Sequence, residues 1–117
     1  MHVDKKTCGL DPDSEYVELA VEVFAMLADA TRIRIILALR NAEELSVNHL
    51  ADIVDKSPAA VSQHLAKLRL ARMVQPRRVG TTAFYRLTDE HASELVGDAV
   101  RQAEHVVGNA PHHAEGQ

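Results

Sequence analysis

Four of the chain's seven histidines and two of its carboxylates stand where a transition ion could use them. Asp89 and His91 lie one residue apart, Glu104 and His105 are adjacent, and His112 and His113 follow soon after. Nitrogen and oxygen donors without a thiolate, five or six together, suit Ni(II) or Co(II), whereas four in a tetrahedron would suit Zn(II). His91 and His105 are 14 residues apart. On one helix that is roughly 21 Å at 1.5 Å per residue, too far for a single ion. Yet fourteen steps of about 100° return to within about 40° of the starting direction, so both face the same way. Two such helices packed antiparallel about a two-fold axis would place His91 of one beside Glu104 and His105 of the other, forming two equivalent sites. The spacing therefore predicts a dimer interface together with a ligand set. Plainer readings stand beside it. His91 suits a polar helix surface, His105 suits a helix C-terminus when protonated, and His112 and His113 suit a tail with no site. His2, beside the terminal amine, is a further donor.

A second cluster is cationic. From Lys56 to Arg86 the chain carries Lys56, Lys67, Arg69, Arg72, Arg77, Arg78 and Arg86, while all 17 carboxylates lie outside this window. The formal net charge of −4 is no objection to a polyanion partner, because phosphate requires a local positive surface rather than a positive total. A merely solvated basic face would be interspersed with carboxylates.

The elements that must hold these residues are mostly helical. Ser14 is placed to cap a helix to about Leu27, with Val17, Ala20, Val21, Phe24 and Leu27 on one face. A second helix restarts near Thr31, carrying Ile33, Ile36, Leu37 and a final Leu39 or Arg40. Ser46 caps the short helix "VNHLADIV", and the tight turn "VDKS" leads to Ser57-Pro58, a strong start signal. That longer helix runs to about Arg72 with Val61, Leu65, Leu68 and Met73 inward. "MVQPRRVGTTAFYRL" then reads as a hairpin, the one β element expected. Thr88 or Asp89 caps the last helix, which Gly108, Asn109 and Pro111 stop. The fold class is mainly α with one β-hairpin, in the order α-α-α-α-β-β-α. This is a winged helix-turn-helix, and such modules act mostly as homodimers. The boundaries are a flexible arm over 1–13, the DNA-binding and dimerisation domain over 14–107, and a flexible His-containing tail over 108–117.

The outer side of the long helix should carry Ser57, Ala59, Ala60, Ser62, Gln63, His64 and Lys67. Small residues at its start permit close approach to a duplex, Ser62 and Gln63 suit base edges, and Lys67 suits a phosphate. Arg77 and Arg78 enter the hairpin, with Thr81 and Thr82 near its tip, where a wing rides the minor groove or backbone. The first and last helices, free of DNA duties, are the expected dimer surface.

Composition agrees with one small domain. The 117 residues are 46% hydrophobic, with two Phe, two Tyr and no Trp, so Leu, Val, Ile and Ala must build the core. No run approaches the ~18 apolar residues of a membrane span, and the first residues lack the apolar centre of a signal peptide. A cytoplasmic protein without membrane partners is expected. The lone Cys8 has no internal disulfide partner. An enzyme is not expected, because there is no Gly-rich phosphate loop and no nucleophile motif.

"MLADATRIRIILAL", "LSVNHLAD", "SPAAVSQHLAKLRLARMV" and "RRVGTTAFYRL" together resemble the ArsR/SmtB family of bacterial metal-sensing repressors, from about residue 16 to 107. The resemblance implies a homodimeric repressor that leaves its operator when an inducer binds. It also implies two places to look for metal. One uses thiolates at the start of the third helix, where this chain has Ser46 and Asn48 in "ELSVNHL", so soft-ion sensing is not expected. The other is on the last helix. Asp89 and His91 fit its first half and His105 its final position, but Gln102 stands where a further histidine is usual. Glu104, His105, His112 and His113 look instead like the nickel- and cobalt-responsive branch. The expected function is a repressor that releases operator DNA on binding Ni(II) or Co(II) and so regulates metal efflux or homeostasis genes. Alternatives are a Zn(II)-responsive repressor, a repressor answering a partner protein or oxidation of Cys8, and a metal-buffering protein.

Overall fold

The computed structural model describes residues 9–108. Cys8, His2, His112, His113 and most of both proposed terminal segments lie outside the described residues. Five helices and three strands follow in order: α1 Val17–Leu27, α2 Ala30–Asn41, β1 Leu45–Ser46, α3 Val47–Val54, α4 Pro58–Leu70, β2 Val74–Val79, β3 Thr82–Leu87 and α5 His91–Gly108.

Local chemistry sets most of the boundaries. Ser14 does not cap α1: its Oγ accepts the Tyr16 N–H at 3.0 Å within a preceding turn, and the helix starts at Val17. Asp29 caps α2 by accepting the Arg32 N–H at 3.0 Å. Ser46 and Ser57 cap α3 and α4 through the His49 and Ala60 N–H groups. Asp89 accepts the His91 N–H at 2.9 Å where α5 begins.

The hairpin is present, with Val79 opposite Thr82. Gly80, at φ +65°, turns the chain there without the penalty a Cβ would bring. It is not the only β structure, however. Leu45 and Ser46 pair antiparallel with Tyr85 and Phe84, giving a three-stranded sheet ordered β1-β3-β2. Two residues are too short for alternation to show in the sequence, so only the meeting of distant backbones reveals this strand.

The core gathers on α2, α3 and α4, closed by Leu45, Met73, Val74, Ala92 and Val96. Ile35, Ile36, Leu50, Val61, Leu65 and Leu68 are fully buried, each contributing roughly 1.5–3 kcal/mol by leaving water. Ile35 escapes the periodic reading because α2 packs against α3, α4, α5 and β3 together, so its buried arc is wider than one stripe. Ile33 and Leu37 are only half-buried.

Candidate nucleic-acid interface and metal-ligand positions

Asp55, Lys56 and Ser57 join α3 to α4. Asp55 adopts the left-handed conformation at φ 58° and sends its N–H back to Ala51 and Asp52 carbonyls, a turn tight enough to set α4 across α3. Val61, Leu65 and Leu68 pin α4 to the core. Ser57, Ala59, Ser62, Gln63 and Lys67 are consequently exposed, while Ala60 is half-buried.

His64 departs from the expected face. It is half-buried, and its Nδ1 accepts the Arg32 Nε–H at 3.1 Å. The same guanidinium donates through Nη1 to the Met26 carbonyl at 2.9 Å. The Asp29 carboxylate lies 3.9 Å from the imidazole. The Arg32 backbone N–H, with the positive field of its neighbours, holds the Asp29 carboxyl below the ordinary range. His64 thus turns toward α2 rather than outward, because a buried imidazole nitrogen requires a partner and Arg32 supplies one.

The wing departs from expectation in a second respect. Arg77 does not stand free of carboxylates: its Nε and Nη2 donate to Glu44 Oε2 and Oε1 at 2.8 and 2.7 Å. Its guanidinium also lies 5.7 Å from the Phe84 ring centroid. The hydrogen bond from Arg77 holds the Glu44 carboxyl low, and Glu44 raises the arginine in turn. The carboxylate-free window is a property of the sequence segment and not of the folded surface. Arg78, next along β2, is exposed and has no ion pair among the described residues.

On α5, Ala92, Ser93, Val96 and Gly97 face the body of the molecule. Ser93 is buried, and its hydroxyl donates to the Glu90 carbonyl at 3.1 Å. Asp89, His91, Glu104 and His105 are all exposed. The structure leaves the two pairs at opposite ends of α5, and among the described residues no three of His, Cys, Asp and Glu gather as one group.

Sequence reasoning missed Asp29, Arg32 and Glu44. Asp29 had a visible signal, an N-capping residue three before Arg32. Glu44 had none, because its role depends on β1 joining the sheet.

Residues 29–75, from the cap of α2 into β2, match the family model for bacterial regulatory proteins of the arsR family. The HTH-type transcriptional regulator KmtR of Mycobacterium tuberculosis is 55% identical over 106 residues, covering 90% of this chain and 81% of the relative. The chain belongs to the ArsR family. The HTH-type transcriptional repressor SmtB of Mycobacterium tuberculosis is 38% identical over 92 residues, covering 79% of this ArsR-family chain and 67% of that one. The solution structure of the homodimeric winged helix-turn-helix DNA-binding domain of Mb0332 from Mycobacterium bovis superposes with a TM-score of 0.70 at 23% identity, covering 89% of this chain and 99% of that one. The fold of this ArsR member is therefore a winged helix-turn-helix, with α3 and α4 as the helix pair and β2–β3 as the wing. It is a DNA-binding transcriptional repressor of the metal-responsive ArsR/SmtB class and not an enzyme. No helix among the described residues is long and apolar enough to cross a membrane.

Proposed function

We propose that this repressor is a homodimer that grips operator DNA with α4 and the wing, and releases it on binding Ni(II) or Co(II). Ser57, Ala60, Ser62, Gln63 and Lys67 form the reading surface, Arg78 touches backbone, and Arg77 is shared with Glu44. The exposure of Asp89, just before α5, and of His91, Glu104 and His105 on it, with His91 and His105 turned away from the side that Ala92, Ser93, Val96 and Gly97 bury, carries the metal half of this reading. Asp89 and His91 of one chain with Glu104 and His105 of the other would hold the ion, and His112 and His113 are further donors. Bound there, a cation supplies a cross-link between two chains. The chain's own part is to convert a change in α5 packing into a mismatch of the two α4 helices with successive major grooves. A coupling of about 1–3 kcal/mol lowers operator affinity roughly 5- to 150-fold.

The test is fluorescence anisotropy on a duplex selected from a randomised library by the wild-type protein. Ni(II) or Co(II) should release the wild type, while the His91→Ala, His105→Ala double variant should stay bound. Release of the double variant by the same ions would refute the assignment. Co(II) absorption separates the two metal classes, since weak d–d bands mean five or six ligands and intense ones mean four, favouring zinc. Because protons compete with the ion for imidazole nitrogens, release should weaken in acid.

A further inference from the structure

We infer that Arg32 is a positioning residue for operator reading, joining the end of α1 to the recognition helix α4 through one guanidinium. The inference rests on α4 being the reading helix. Only Leu27 of α1 is buried, and Val21 and Phe24 remain 61% and 57% exposed. Packing therefore anchors α1 chiefly by its last turn. At that turn Arg32 Nη1 donates to the Met26 carbonyl at 2.9 Å and lies 3.5 Å from its sulfur. From the same plane Nε donates at 3.1 Å to His64 Nδ1, in the middle of α4.

A guanidinium is rigid, so two bonds made by one fork fix the angle between the groups that receive them. Asp29 holds the backbone of Arg32 at 3.0 Å, which keeps the fork's base from drifting. Because Nδ1 accepts, the His64 proton resides on Nε2, and the histidine keeps one tautomer. Ser62 and Gln63 precede His64 on α4, so the rotation of this turn decides where these two base-edge residues point. A displacement imposed on the outer face of α1 reaches the reading surface along this path. Lysine keeps the charge at position 32 but has no planar fork, which makes Arg32→Lys the informative change.

The experiment uses the full-length protein, the library-selected duplex and a scrambled duplex of equal composition. Arg32→Lys should weaken binding to the selected duplex about tenfold, the cost of one lost charge-assisted hydrogen bond. Binding to the scrambled duplex and the salt dependence of both should not move, because Arg32 offers no charge to phosphate. Imidazole ¹⁵N spectra should show a single His64 tautomer in the wild type and a mixture in Arg32→Lys. The losses of Arg32→Lys and His64→Ala should be non-additive in the double variant. Equal losses on both duplexes, a changed salt slope, or strict additivity would each overturn the assignment. A wild type that fails to distinguish the two duplexes would sink the reading-helix assignment itself, and the inference with it.

Discussion

At the scale of single residues, the ion pair between Glu44 and Arg77 sets how much unpaired positive charge the wing presents. Arg77 is exposed and Glu44 half-buried, so solvent still screens much of the pair's attraction. Its consequence is electrostatic, since a carboxylate seated on Arg77 competes with phosphate for the same donors. Glu44→Gln should steepen the log–log salt dependence of duplex binding by about 0.9, the increment for one more neutralised phosphate. An unchanged slope would assign Arg77 to the shape of the wing. Two carboxyls also bear on acid stability. Asp29 and Glu44 sit below their ordinary values of 3.8 and 4.5 in the folded chain. A depressed carboxyl stabilises the fold above its ordinary value, and that contribution disappears as pH falls through the lowered one. Asp29→Asn keeps the helix cap but removes the charge, so urea titrations should show a flatter acid limb below about pH 4.

The helices were legible as elements because their signals are local. Ser57-Pro58 and the alternation in "TAFYRL" lie within a few residues of the boundaries they set, and α4 and β3 follow them. Where an element's identity depends on a distant partner, the same reasoning failed. The sequence marks Ser46 as a cap but not as half of β1, which exists by pairing with Phe84 and Tyr85. One junction carries visible strain. Just past the end of α4, Arg72 stands at φ 63°, and Met73 donates back to the Leu68 carbonyl at 2.9 Å. A residue with a Cβ is disfavoured in that conformation, and glycine is the usual occupant. Arg72→Gly should raise stability by about 0.5–1 kcal/mol. The expected signature is a higher denaturant midpoint with an unchanged slope, and a lower midpoint would show that the Arg72 side chain does more than leave the helix.

At the scale of the whole molecule, one copy of the chain leaves apolar surface uncovered. Its radius of gyration is 17.5 Å, against ~13 Å for a compact chain of this length. With extents of 54 × 46 × 21 Å the body is thin rather than spherical. Val17, Leu19, Val21, Val23 and Phe24 are exposed along α1, and Val106 and Val107 at the end of α5. Val17, Val21 and Phe24 share one face of α1, and an exposed apolar stripe of that kind suits an interface. Phe24→Asp should shift the protein toward monomer in sedimentation and weaken duplex binding, because a lone half-site grip loses the second. A dimer undisturbed by the change would place the interface elsewhere. The sequence by itself determined the helix-turn-helix, the wing, the inward stripe of α4 and the spacing of His91, Glu104 and His105 along α5. These are patterns of capping, periodicity and spacing within single elements. Tertiary structure alone decided that His64 turns to Arg32 and that Arg77 is held by Glu44, partners 32 and 33 residues apart. Side-chain pairing at that separation depends on how the chain closes on itself, and no local pattern carries it.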